Sequence, residues 1–147
     1  MIGIIGAMES EVSAIYDKMT SKEIIEINGQ KFYKGLLFDK EVVVIQCGIG
    51  KVNAALCTQL LILKFNVEKV INTGIAGATG KGLNIYDFVV SSQTVYHDFD
   101  TTFFGYELGQ IPSLPAKFEA DASLVNTAME AFAKASLSKE HKIQKGR

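Results

Sequence analysis

The sequence predicts an α/β domain, and three observations carry that reading. Strand-like apolar runs alternate with stretches of helical period. Asn28-Gly29 and Asp39-Lys40 divide three successive strand-like runs as in an antiparallel meander, Asn-Gly being a strong hairpin signal. Glycine-bearing turns at 6, 48 to 50 and 74 to 77 each follow a strand-like run, and in an open α/β sheet such turns gather where ligands bind. With 147 residues, 48% of them hydrophobic and 21% charged, the chain buries one core of ordinary size and reads as a single domain over residues 1–147.

Taken in order, residues 2 to 5 (IGII) form a buried strand, and Gly6 turns the chain where a side chain would crowd it. Val12, Ile15, Tyr16 and Met19 then share one helical face, which sets Glu9 and Glu11 in the first turn, where carboxylates favour the helix dipole. The meander follows. "GIGKVNAALCTQLLILKF" predicts a helix packed through Val52, Leu56, Leu60 and Leu63. "KVINTGIAG" is a further buried strand, and "YDFVVSSQTVYH" another after the loop "ATGKGLN". A long loop with Pro112 and Pro115 leads to a last helix near 121 to 135, carrying Leu124, Val125, Met129 and Phe132.

Fifteen basic and sixteen acidic residues leave a formal charge of −1, which advertises neither nucleic acid nor an anionic membrane as partner. The N-terminus lacks a basic n-region, and no apolar run nears the roughly 20 residues that span a bilayer. A cytoplasmic location is the expectation. Cys47 and Cys57 sit among apolar neighbours without metal-ligand spacing, and read as buried thiols. His97 and Asp98 lack the companions a metal site needs. "CGIGKV" has Ile45 where a phosphate loop needs its first glycine and Val52 where it needs a hydroxyl, and "GIAGATG" misses the dinucleotide spacing.

Glu11 stands one residue before the apolar face begins, which allows it to point along the helix towards the strand ends rather than out to water; Glu9 reads as a helix-dipole residue. The stretches "IGIIGAMESEV", "CGIGKVNAA", "VINTGIAG" and "YHDFDTTFFGYELGQIP" resemble, in order and spacing, those of the 5′-methylthioadenosine/S-adenosylhomocysteine nucleosidases of the purine nucleoside phosphorylase superfamily. The resemblance covers essentially the whole chain. It implies a mixed twisted sheet flanked by helices, a homodimer, no metal or organic cofactor, and hydrolysis of the bond between adenine and a 5′-thio-substituted ribose.

Residue by residue, the resemblance makes Glu11 the water-activating carboxylate. Met8 would lie against the ribose, Ile49 would line the alkylthio pocket, and the backbone at Ala76 and Gly77 would run close to the purine and ribose. Residues 96–112 would cross to the partner's site, with Thr101, Phe104, Tyr106 and Pro112 around the thio-substituent. Ile75 departs from the pattern, standing where the family has serine near the nucleophile. Members of the family are longer than this chain, so residues 1–147 are expected to be the N-terminal portion of a longer nucleosidase domain. The adenine-stacking Phe, the Met-Glu pair that holds the ribose and the purine-protonating Asp would lie beyond it. Two rival readings are a nucleoside phosphorylase of the same superfamily and a truncated chain without activity of its own.

Overall fold

A computed structural model describes residues 1–136 and 140–146. The chain falls into two compact units, Met1–Gly77 and Ala78–Arg147.

In the first unit the order is β1 (Ile2–Gly6), α1 (Glu9–Lys18), β2 (Thr20–Ile27), β3 (Gln30–Leu37), β4 (Lys40–Gln46), α2 (Lys51–Phe65) and β5 (Lys69–Asn72). The strands form one mixed sheet in the order β2-β3-β4-β1-β5. The meander is antiparallel, whereas β1 lies parallel to both β4 and β5. β4 reads as an unbroken apolar run because both of its faces are covered. Val42 and Val44 join Ile4, Val12, Tyr16 and Met19 beneath α1, while Val43 and Ile45 join Ile5, Phe32, Leu61 and Phe65 beneath α2. Rings reinforce both layers: Tyr16 stacks on Tyr33 at 4.1 Å between centroids, and Phe32 meets Phe65 at 5.1 Å.

Asn28 and Gly29, at φ +51° and +77°, make the expected two-residue hairpin turn. The second turn falls one residue earlier than the sequence suggests. It uses Phe38 and Asp39, at φ +48° and +63°, the two left-handed positions that a two-residue hairpin following the strand twist requires, and Lys40 opens the next strand.

The packed face of α2 corrects the sequence expectation. Cys57, Leu61 and Phe65 are buried, Leu60 is partly covered, and Val52, Leu56 and Leu63 are 73%, 58% and 65% exposed. The helix is apolar around most of its circumference, so period alone does not choose the face; the sheet does. A Cβ at Gly3 of β1 would come within 3.0 Å of Leu61 Cδ1, so the bare glycine seats that side of α2. β5 is likewise an edge strand with Ile71 and Asn72 exposed rather than fully buried.

The second unit contains β6 (Phe88–Ser91), β7 (Gln93–Thr94), a 3-10 turn (Thr102–Phe104), β8 (Phe118–Glu119), α3 (Ala122–Lys134) and β9 (Ile143–Gly146). The single strand expected over 86–97 is broken. β6 pairs in parallel with β9, and β7 pairs antiparallel with β8. Between them Ser92 spends its N–H and its hydroxyl on the Gly146 carbonyl, at 2.7 and 3.0 Å. α3 starts as expected: Asp121 caps it by accepting from the Leu124 N–H at 2.9 Å. The helix packs on β6 and β9, with Phe132 against Phe88. Among the described residues, no helix is long and apolar enough to cross a membrane.

Candidate active site

Because β4, β1 and β5 are adjacent and parallel, the turns that leave them meet at one end of the sheet. Backbone bonds fasten them there. The Cys47 N–H donates to the Gly6 carbonyl at 2.8 Å, and the Thr73 N–H donates to the Ile5 carbonyl at 2.9 Å. The first turn of α1 rises from the same place.

Glu11 occupies the third position of α1, and its carboxylate turns back over the helix start. Oε2 accepts the N–H of Ala7 at 2.7 Å and of Met8 at 2.9 Å; Oε1 accepts the N–H of Ile75, 64 residues away in sequence, at 3.0 Å. The Met8 bond is the reciprocal half of a capping box whose first residue has no capping side chain. Hydrogen bonds to the charged form favour it. The amides of Ile75, Met8 and Ala7 therefore hold the Glu11 carboxyl below the usual carboxylate range, against a smaller opposing effect of burial. Glu9, two residues earlier in the same turn, is exposed.

Two glycines make room for this carboxylate. A Cβ at Gly74 would collide with Glu11 Oε1, and one at Gly6 would come within 2.7 Å of Val12 Cγ1 and 3.2 Å of Glu11 Cβ. The Ile75 side chain is 81% exposed, so this residue serves Glu11 through its N–H and not through the group that differs from serine. Beyond it Ala76 and Gly77 are exposed, with open space where a Gly77 Cβ would stand.

The turn after β4 holds Ile49 between Gly48 and Gly50, at φ +85° and +107°, conformations that favour glycine. Asn53 steadies it by donating from Nδ2 to the Ile49 carbonyl at 2.8 Å, leaving the Ile49 side chain 76% exposed. Met8, half-buried, borders the Glu11 clamp. Cys47 and Cys57 lie under this turn; burial pushes both thiols up, which keeps them protonated. The Cys57 thiol donates to Gln30 Oε1 at 3.0 Å.

Glu11, Met8, Ile49, Ala76 and Gly77, the residues that the resemblance singles out, lie on turns that the structure gathers at one sheet end. Sequence reasoning missed the amides of Ala7 and Ile75, which no side-chain pattern announces, and Asn53, whose position three residues into a glycine-led helix was a readable signal. Thr101, Phe104, Tyr106 and Pro112 belong to the second unit. Phe104 is 75% and Tyr106 37% exposed, while the Thr101 hydroxyl is already used, donating to the Gln110 carbonyl at 2.7 Å. Among the described residues no group of three or more His, Cys, Asp or Glu side chains is placed to hold a metal ion.

Comparison with known proteins finds the model of the phosphorylase superfamily matched by residues 1–147. The 5′-methylthioadenosine/S-adenosylhomocysteine nucleosidase of Staphylococcus saprophyticus is 54% identical over 132 residues, 90% of this chain and 58% of that protein. The crystal structure of the corresponding nucleosidase from Colwellia psychrerythraea in complex with adenine superposes with a TM-score of 0.94 at 46% identity, over 99% of this chain and 59% of that one. The Neisseria meningitidis nucleosidase bound to methylthio-immucillin-A gives 0.93 at 39%, over 99% and 62%. The chain thus spans about three fifths of the length of the relatives it matches.

Proposed function

The chain belongs to the phosphorylase superfamily, and from that premise we propose that it is the N-terminal portion of a single-domain nucleosidase. This enzyme hydrolyses the N-ribosidic bond of 5′-methylthioadenosine and S-adenosylhomocysteine. The observation that carries the reading is the Glu11 carboxylate, fixed by three backbone N–H groups where three strand ends meet.

Cleavage breaks the bond from the anomeric carbon to adenine. The electron pair leaves with the base, positive charge builds on the ribose, and a water oxygen bonds to the vacated carbon. A pre-oriented anion beside that carbon stabilises the cation. Water that has begun to bond to a cationic carbon is strongly acidic, so even a carboxylate held below its ordinary pKa suffices to take its proton. Glu11 serves both purposes. Met8 would flank the ribose, Ile49 the alkylthio group, and Ala76 and Gly77 the purine and ribose. The acid that protonates adenine would come from the part of the enzyme beyond residue 147, and the scheme calls for no cofactor.

The dimer belongs to the same proposal. Residues 96–112 would reach the partner's site, Thr101, Phe104, Tyr106 and Pro112 lining the thio-substituent. The exposed apolar face of α2 (Val52, Leu56, Leu63) and the exposed Phe103 and Phe104 are surfaces that support association with a second copy. A cytoplasmic location suits such a small-molecule enzyme.

A phosphorylase would bring phosphate to the anomeric carbon, where the Glu11 anion repels it. The chain's sole arginine, Arg147, lies outside the described residues. The deciding experiment is adenine release by the full-length protein in phosphate-free buffer. Hydrolysis is expected at an undiminished rate; strict dependence on phosphate would make it a phosphorylase.

A further inference from the structure

Gln110 spends all four of its polar groups on partners between Thr101 and Leu114. Its backbone N–H donates to the Glu107 carbonyl at 3.0 Å, and its own carbonyl accepts the Thr101 hydroxyl at 2.7 Å. Its side-chain Oε1 accepts the Glu107 N–H at 3.1 Å, and Nε2 donates to the Leu114 carbonyl at 3.0 Å. The loop is closed beside it. The Gly109 N–H donates to the Phe99 carbonyl at 2.9 Å, and Gly109, at φ +84°, has no room for a Cβ, which would strike the Tyr96 carbonyl oxygen. Asp100 Oδ1 accepts both the N–H and the hydroxyl of Thr102, at 2.9 and 2.7 Å, which starts the 3-10 turn. Residues 99–110 are therefore an Ω-type loop whose ends are tied by its own bonds. On its outer side Phe103 and Phe104 pack edge to face at 5.4 Å and are 93% and 75% exposed.

We propose that Gln110 is a positioning residue. It pre-shapes this loop so that Phe104 and Tyr106 arrive as a formed wall against the 5′-substituent of the nucleoside, and it thereby sets the preference for a thio-substituted over an unsubstituted ribose. The inference rests on the function proposed above. Its physics is pre-organisation: a wall already ordered before binding spares the ligand the cost of ordering it. Gln110 touches no reacting atom, so its loss weakens binding of the substituent and leaves the chemical step alone. It also leaves alone a nucleoside whose 5′ group is only a small hydroxyl that does not fill the space against the wall.

The test uses full-length protein carrying Gln110→Met, which keeps length and bulk but neither side-chain hydrogen bond, and Gln110→Glu, which keeps the acceptor for the Glu107 N–H but sets a carboxylate against the Leu114 carbonyl. KM and kcat are measured for 5′-methylthioadenosine and for adenosine, and sedimentation checks that each variant still associates as the unaltered protein does. Two side-chain hydrogen bonds together set an expected rise of about tenfold in KM for 5′-methylthioadenosine in Gln110→Met. kcat should stay within about twofold, and the KM for adenosine should hardly move. Gln110→Glu should fall on the same side. An equal loss for both nucleosides, a loss confined to kcat, or unchanged kinetics in both variants overturns the inference while leaving the nucleosidase reading intact. If the unaltered protein releases no adenine, both fall.

Discussion

A carboxylate that accepts three backbone hydrogen bonds is a persistent anion and a weak base, and Glu11 is in that position. Its folded pKa lies below its unfolded one, so the stability it contributes is complete above the unfolded value, about 4.3. It is lost as pH falls through the folded value. Denaturant unfolding of the full-length protein and of Glu11→Gln at stepped pH should show a stability difference that is constant near neutrality and shrinks below about pH 4. A difference that widens in acid would contradict the clamp. In the proposed reaction the same substitution at pH 7 would remove the counter-charge and the proton acceptor, and turnover should fall by about 10²–10⁴-fold, the span of general-base effects. Glu9→Gln is the control. An exposed first-turn carboxylate should cost at most about 1 kcal/mol of stability and little activity. A steady-state assay that finds Glu9→Gln the more damaging would move the catalytic role away from Glu11.

At the scale of the element, α2 puts two leucines in opposite situations two residues apart. Leu61 is fully buried beneath the sheet and Leu63 is 65% exposed. Leu61→Ala should cost about 2–5 kcal/mol by urea unfolding. Leu63→Ala should change subunit stability by no more than about 0.5 kcal/mol, any effect being on association. Equal costs would mean that the packed face has been misassigned. This pair also marks where the sequence stopped being informative. α1 was legible because its apolar residues occupy one stripe among charges, and the first hairpin because Asn28-Gly29 meets a steric requirement that few other pairs meet. α3 was legible because Leu124, Val125, Met129 and Phe132 recur at helical spacing after the proline-bearing loop, with its start placed only near residue 121. α2 offered apolar residues on nearly every side, so only the bare Gly3 and the position of Phe32, neither near it in sequence, decide what it buries. The break between β6 and β7 was equally hidden, since it depends on Ser92 finding the Gly146 carbonyl 54 residues away. At the site, Glu11 stood out by its place at the helix start and drew its proposed role from the resemblance, whereas its Ile75 partner is a backbone group that any residue supplies and no side-chain pattern announces.

For the whole molecule, the proposed dimer makes each site a composite, Glu11 from one subunit and the 96–112 loop from the other. A two-fold interface uses the same patch on both subunits, so the contributions are reciprocal. That reciprocity can be tested by crossing two defects. Full-length Glu11→Gln lacks the anion but keeps the loop; a second full-length variant with Phe104→Ala and Tyr106→Ala keeps the anion but loses the aromatic wall. Each alone should be severely impaired at low concentrations of 5′-methylthioadenosine. In a mixed dimer one site receives both defects, and the other pairs an intact Glu11 with an intact loop. If the two proteins are mixed in equal amounts and allowed to exchange subunits, half the dimers are mixed and one of the two sites in each is whole. Activity should therefore recover to about a quarter of the unaltered level. The recovery should develop at the rate of subunit exchange, followed by sedimentation or by energy transfer between labelled subunits, and should be absent when the defects are placed in the same chain. Exchange without recovery would mean that each subunit completes its own site, and the loop would then have to be placed against the Glu11 of its own chain.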